Sequence, residues 1–215
     1  MLDLLSSPNA FFPLLQQRLA NPLPAEIAQN KMTSRARIST QQYKVNNPNF
    51  KSSAVLILLF PHNSTIYSAL IRRSAYDGKH GGQLSFPGGK VEPGDVSLEN
   101  TAIRETGEEV GVRVNSTDIL GKLSPLYIPI SNFLVQPFIA SLPTSPVWVK
   151  DNHEVAEVIE FPLSNLLDES LKDRRRITIG PNRFVDAPCY MLNNQVCWGA
   201  TAMILAEFES LLRGN

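Results

Sequence analysis

Gly89-Lys90-Val91-Glu92-Pro93-Gly94-Asp95-Val96-Ser97-Leu98-Glu99-Asn100-Thr101-Ala102-Ile103-Arg104-Glu105-Thr106-Gly107-Glu108-Glu109-Val110-Gly111-Val112 is the stretch on which the reading of this chain turns. Its first part is dense in turn formers, and Ser97 is suited to cap a helix that Gly111 would stop. At about 100° per residue, Glu105, Glu108 and Glu109 fall within an arc of about 100° on one face of that helix. Like charges at i,i+3 and i,i+4 repel, and these acids also crowd the negative end of the helix dipole. Arg104 relieves part of the repulsion. A hard divalent cation, bound by oxygen ligands, would relieve most of it. A solvated acidic face is the alternative for such a string standing alone. Ile103, Gly107 and Val110 follow i, i+4, i+7 spacing on the other side, so the helix is expected to pack there, with Gly107 allowing close approach. The acids then have a fixed direction.

Residues 89–112 resemble the Nudix box: a glycine, an acid six residues on, then Arg-Glu, Glu-Glu and a closing glycine. Two positions and one spacing depart from the general box. Asp95 stands where Glu is usual, Thr106 replaces an apolar residue, and eight residues rather than seven separate Asp95 from Arg104. The extra residue rotates the helix relative to the loop, which assigns Asp95 to the loop–helix junction rather than to a metal. These departures are similar to the coenzyme A pyrophosphatase branch of the family. That branch carries a second signature, here Arg73-Ser74-Ala75-Tyr76-Asp77-Gly78-Lys79-His80-Gly81-Gly82-Gln83-Leu84-Ser85-Phe86-Pro87-Gly88-Gly89. The Arg-Ser start, the His-x-Gly-Gln centre and the Phe-Pro-Gly-Gly end match, while Asp77 falls where an apolar residue is common. Similarity continues at Val135–Phe138, Asn152–Val155 and Trp198–Ala202, so the resemblance covers roughly residues 53–210.

The resemblance implies an α/β/α sandwich with a mixed sheet between helices. It also implies a metal-dependent hydrolase of coenzyme A or acyl-CoA that gives 3′,5′-ADP and a phosphopantetheine moiety. By the same resemblance Glu105, Glu108 and Glu109 are the ligands of Mg2+ or Mn2+. The Gly88–Gly89 turn would bring a backbone carbonyl, that of Gly89, to the same ion, an approach a Cβ would obstruct. Arg104 orients the glutamates. Glu154 is the candidate for an extra ligand or general base from a distant loop, with a solvated acid at a strand start as the alternative; Glu157 and Glu160 are weaker candidates. Arg73, Lys79, His80 and Gln83 suit contact with a diphosphate or a 3′-phosphate. A second reading keeps the enzyme class and changes the substrate to ADP-ribose, NADH or another nucleoside diphosphate derivative. A third, a Nudix-fold ligand sensor without turnover, is opposed by the presence of all three box glutamates.

The rest of the chain sets limits. At 215 residues it is long enough for one well-buried domain and short for two. Lys plus Arg equals Asp plus Glu at 20 each, which argues against broad capture of nucleic acid and leaves anionic ligands to local groups. Cys189 and Cys197 are too few for a disulfide framework, and a reduced, cytoplasmic setting is expected. The start Met1–Leu5 is no convincing signal peptide, and the longest apolar stretch, 54–61, is far below membrane-spanning length. Residues 9–20 and 24–32 read as helices, 53–60 as a buried strand and 65–72 as its hairpin partner across Pro61-His62-Asn63-Ser64. Strands are expected near 119–127, 133–140, 154–161, 175–179 and 188–192, and a final helix over 199–212 packing through Ala200, Met203, Ile204, Ala206 and Leu211. Arg174-Arg175-Arg176 reads as an exposed charged loop, and Trp198 as a packing residue at the helix entry. The expected division is an N-terminal helical extension over 1–50 and a Nudix domain over 51–215, the extension either capping the domain or supplying a homodimer contact.

Overall fold

The computed structural model describes residues 2–74, 82–180 and 182–214. In chain order the helices and strands are α1 (Leu2–Leu5), α2 (Pro8–Leu19), α3 (Ala25–Gln29), α4 (Thr40–Asn46), β1 (Lys51–His62), β2 (Thr65–Arg73), β3 (Leu84–Ser85), β4 (Gly88–Lys90), α5 (Leu98–Val110), β5 (Ile119–Lys122), β6 (Leu126–Ile128), β7 (Phe133–Ser141), β8 (Val155–Pro162), β9 (Lys172–Gly180), β10 (Arg183–Leu192), β11 (Gln195–Trp198) and α6 (Gly199–Arg213). The central sheet is mixed: β1 runs parallel to β7 and antiparallel to β2 and β4, and β2 also pairs antiparallel with β8 and β3.

The continuous apolar run in β1 has a direct cause. Ile57 and Leu59 point into the core shared with α6, while Leu56, Leu58 and Phe60 point into the core shared with α5. A strand covered on both faces has no polar side to alternate with. Its turn into β2 places Asn63 and Ser64 at φ 47° and 60°, the left-handed geometry of a tight hairpin. The expected α/β/α layering holds, with α5 on one face and α6 on the other.

Several sequence expectations need correction. The strand expected over 119–127 is two, β5 and β6, separated around Pro125, which cannot donate to a ladder. Arg174–Arg176 lies in strand β9 of a separate antiparallel sheet, β11-β10-β9, not in a loop. The buried positions of α5 are Thr101, Ala102, Thr106, Glu109 and Val110, whereas Gly107 is exposed and a Cβ there would meet only Val112 O at 4.0 Å. The packed face is therefore rotated toward Glu109. Thr106 tolerates burial because its hydroxyl donates to Ala102 O at 2.7 Å.

Helix α6 buries Met203, Ile204, Ala206 and Leu211 as expected, and also Glu207. That carboxylate accepts from Ala25 N at 3.2 Å, Ser124 N at 3.1 Å and Gln29 Nε2 at 2.8 Å, tying α3 and the β5–β6 connection to α6. Arg18 donates to the carbonyls of Leu211 and Leu212 at 2.7 Å each, occupying acceptors that a helix end leaves open. Among the described residues no helix is long and apolar enough to cross a membrane. Cys189 and Cys197 are buried and unpaired as thiols.

Candidate active site

Ser97 caps α5 by accepting from Asn100 N at 3.1 Å, and Gly111 ends it at φ 70°. Between these limits the helix presents its glutamates to the short strand β4, which pairs with Ser53–Val55 of β1. Gly88 and Gly89 thus belong to a strand, and their missing side chains serve different purposes. A Cβ on Gly88 would lie 2.3 Å from Ala54 O; one on Gly89 would lie 2.4 Å from the carboxyl carbon of Glu105. The space that Gly89 leaves is filled by the Glu105 carboxylate.

Glu109 is 2% exposed. Its Oε2 accepts from Gly88 N at 2.8 Å, and its Oε1 stands 3.4 Å from Arg73 Nη2 with no hydrogen-bond partner among the described residues. Arg73 also donates to Gly88 O at 3.0 Å, so this arginine turns inward onto the acid instead of into solvent. Burial pushes Glu109 from the ordinary 4.5 up to about 7, against the lowering effects of Arg73 and the Gly88 amide; Glu105 and Glu154 add to the rise. Glu105 is also raised, first by burial, with Arg104 opposing and Glu108 and Glu154 reinforcing. Desolvation therefore outweighs mutual repulsion as the cause. Glu108 is different, with its side chain 60% exposed and held 2.8 Å from Arg104 Nη1.

Arg104 gathers the loop and helix. It reaches Glu105 at 3.0 Å and Glu108 at 2.8 Å, and pairs with Asp95 through two hydrogen bonds of 2.9 Å. Asp95 also accepts from Glu92 N and Thr101 Oγ1 at 2.9 Å. The Arg104 guanidinium holds the Asp95 carboxyl well below the usual carboxylate range. Asp95 is accordingly the joint between loop and helix.

Glu154 lies in a turn just before β8, and its carbonyl accepts from Ser74 N at 2.9 Å. Its carboxylate raises both Glu105 and Glu109, which places it with the box acids electrostatically. Glu157 pairs with Arg72 at 3.2 Å; in the β2–β8 ladder these two are opposite each other, on the sheet face away from Arg73. Glu160 accepts from Trp148 Nε1 at 2.5 Å. Both weaker acid candidates are thus committed elsewhere. Gln83 lies across the β2–β3 pair from Arg73, and its carbonyl accepts from Arg73 N at 3.2 Å. Lys79 and His80 fall outside the described residues. Trp198 ends β11 and precedes α6, as expected of a helix-entry residue.

What this site can hold follows from its donors. The groups are carboxylate oxygens, the hard ligands that Mg2+ and Mn2+ take. Oε1 of Glu109 is buried and, beyond its 3.4 Å ion pair with Arg73, has no hydrogen-bond partner among the described residues, and unsatisfied buried oxygens are costly. The residues fit a divalent cation, although among the described residues no three His, Cys, Asp or Glu side chains stand ready-grouped around one point. Arg104 and Arg73 currently offset the charges. Arg73, expected from the sequence to suit phosphate contact, also turns inward onto Glu109, a contact to which only its position at the head of the second signature pointed.

Comparison with known proteins bears on the same region. A sequence model of the NUDIX domain matches residues 50–179. The Yersinia pestis (strain Pestoides F) protein named "Uncharacterized Nudix hydrolase NudL" is 39% identical over 139 residues, spanning 63% of this chain and 67% of that protein. A Yersinia pseudotuberculosis (serotype O:1b) protein of the same name matches equally. Among solved structures, a MutT/nudix family protein from Enterococcus faecalis covers 90% of this chain and 76% of its own, at 16% identity and a TM-score of 0.52. The C. elegans Ap4A hydrolase binary complex covers 77% of this chain and 99% of its own, at 18% identity and a TM-score of 0.51. At such identities these two structures speak for the fold.

Proposed function

The chain belongs to the Nudix family, and on that premise we propose that it hydrolyses the diphosphate bridge of coenzyme A or an acyl-CoA, working with Mg2+ or Mn2+. One observation carries the reading: Arg73, which begins the coenzyme A branch signature, reaches both the buried box acid Glu109 and the carbonyl of Gly88, near the end of that signature. Arg73 and Gly88, near the two ends of that signature, thus both contact the acid cluster, which supports reading the segment as the recognition element. On this reading residues 51–215 form the hydrolase domain and residues 1–50 its helical extension.

Cleavage requires a water to attack one phosphorus in line while the bridging oxygen leaves with the other phosphate. The bound cation supplies charge offset on the phosphoryl oxygens. Glu105, Glu108 and Glu109 would hold it, with the Gly89 carbonyl as the backbone ligand. Arg104 orients Glu105 and Glu108, and Arg73 holds Glu109. Glu154 takes the proton of the attacking water, and the leaving phosphate departs as 3′,5′-ADP or as the (acyl-)4′-phosphopantetheine. Incubating the protein with Mg2+ and a panel of CoA, acyl-CoA, ADP-ribose, NADH and diadenosine polyphosphates, with products identified by mass, tests the assignment. ADP-ribose cleaved faster than CoA would overturn the branch.

Substrate choice gives a sharper test. Coenzyme A carries a 3′-phosphate that dephospho-CoA lacks, and a charge-assisted contact to it would be lost. Dephospho-CoA is expected to be the poorer substrate by about tenfold in kcat/KM, the size of one such contact. Lys79→Ala is expected to narrow the gap; equal hydrolysis of both substrates by the wild type rejects 3′-phosphate recognition.

The cation should also be visible in stability, with a defined pH dependence. Glu109 has its folded pKa raised from 4.5 to about 7. An acid raised on folding keeps its proton longer in the native state, so metal-free stability falls as pH rises from 4.5 toward 7. A cation takes the ionised carboxylate, so the rise in Tm on adding Mn2+ is expected to be larger at pH about 8 than at pH about 6. In Glu109→Gln that pH difference should shrink, by thermal denaturation with and without Mn2+, the remainder coming from Glu105, whose pKa is also raised. An equal increment in both proteins would put the cation elsewhere.

A further inference from the structure

The last turn of α5 ends in two carbonyls, Glu109 O and Val110 O, that a helix leaves without internal donors. They are occupied by protein. Asp151 N donates to Glu109 O at 2.9 Å and Val149 N to Val110 O at 3.0 Å. The approach is close because Gly111 has no side chain: a Cβ there would lie 2.7 Å from Val149 Cβ and 2.8 Å from its carbonyl oxygen.

From that anchor the chain enters the turn that carries Glu154. Asp151 closes it twice: its Oδ1 accepts from His153 N at 2.7 Å, and its carbonyl accepts from Val155 N at 2.8 Å. Lys150 Nζ ties the outer side, donating to Asn152 Oδ1 at 2.6 Å and Val155 O at 3.1 Å. Beyond it, Glu154 O accepts from Ser74 N at 2.9 Å, next to Arg73, whose guanidinium faces Glu109 Oε1 at 3.4 Å. The contacts form a closed ring. It leaves the Glu109 main chain through Asp151, passes Glu154 and Ser74, and returns through Arg73 to the Glu109 side chain.

We infer that Asp151 is a positioning residue, whose carboxylate fixes the Glu154 turn against the end of helix α5 and so sets Glu154 relative to Glu109. This rests on the reading of Glu154 as a reacting group. Among the described residues the carboxylate has no hydrogen bond to the acid cluster; it acts through the His153 amide. An amide oxygen can make the same contact, so Asn should substitute for Asp and Ala should not.

The test uses the full chain with Mg2+ or Mn2+ and the diphosphate substrate that the wild type cleaves fastest. Asp151→Ala is expected to lower kcat by about tenfold with KM changed less than about threefold, while Asp151→Asn keeps at least about half of the turnover. In a Glu154→Gln background the further loss from Asp151→Ala should be less than about twofold, since both changes remove one function. Amide hydrogen exchange at His153 and Ser74 should quicken in Asp151→Ala and not in Asp151→Asn. Wild-type turnover in Asp151→Ala, equal losses in Ala and Asn, or a full additional loss in the Glu154→Gln background would each overturn the inference. If the wild type cleaves no diphosphate, the functional reading falls, and unchanged exchange at His153 and Ser74 in Asp151→Ala would separately overturn the positioning role.

Discussion

Glu105→Gln and Glu109→Gln are each expected to lower kcat by at least about 100-fold, or about 2.7 kcal/mol of transition-state stabilisation, while the protein remains folded. The two acids differ in how they are held, yet both should survive the change structurally. Glu105 sits against Gly89 with Arg104 at 3.0 Å, and an amide of the same shape keeps that packing. Glu109 accepts the Gly88 amide through Oε2, and a glutamine oxygen can accept it equally. Burial already disfavours ionised Glu109, so a neutral amide there removes a cost of folding at pH about 8. The chemistry has no such tolerance, since an amide neither neutralises nor retains a divalent cation as a carboxylate does. Circular dichroism and steady-state kinetics on the same samples decide the matter. Near-normal turnover in either folded variant removes that acid from the mechanism.

The two neighbouring glycines should fail in opposite ways. Gly88 has φ 143°, and a Cβ there would stand 2.3 Å from Ala54 O and 2.6 Å from Val55 Cα. Both are backbone atoms of β1 and cannot yield without breaking the β1–β4 ladder. Gly88→Ala is expected to cost about 3 kcal/mol or more, a fall in Tm of about 10 °C. Gly89→Ala meets only the Glu105 carboxylate, the far end of a flexible side chain, with Glu105 Cδ at 2.4 Å. That side chain can swing away, so Tm should hold within about 2 °C while kcat falls by about tenfold to 100-fold. Thermal denaturation and kinetics of the pair test this. A Gly89→Ala variant with full activity would show that Glu105 need not lie where it does.

Local pattern made much of the fold legible. The six-residue apolar run Ala54–Leu59 reads as a strand because both faces of β1 are covered, so no alternation dilutes the signal. Helix α5 is legible from Ser97 to Gly111 because cap and stop are properties of single residues. The same holds for the hairpin at Asn63-Ser64. Helix α4 was not legible: Thr40–Asn46 is mostly polar, and what holds it is the Ser39–Gln42 capping box and the stacking of Tyr43 on Tyr127, ring centroids 4.9 Å apart. Strand β4 reads as a turn, Gly-Gly-Lys, and becomes a strand only by pairing with Ser53–Val55. The β9–β11 sheet was only half visible, since Arg174–Arg176 has no alternation to announce an exposed strand.

The site divides along the same line. Sequence by itself determined that Glu105, Glu108, Glu109 and Arg104 share one end of one helix and that Asp95 belongs to its junction, because helical period and loop length are local quantities. Tertiary structure alone decided that Glu109 is buried while Glu108 is exposed, although the two are adjacent in sequence. It also decided that Arg73 turns onto Glu109, that Glu157 faces away, and that Glu154 stands in a turn tied to the helix end. Each of these depends on which surface another strand or segment covers. Burial, and with it the rise of the Glu109 pKa, is a property of the packed neighbours and is written in no single stretch of the chain.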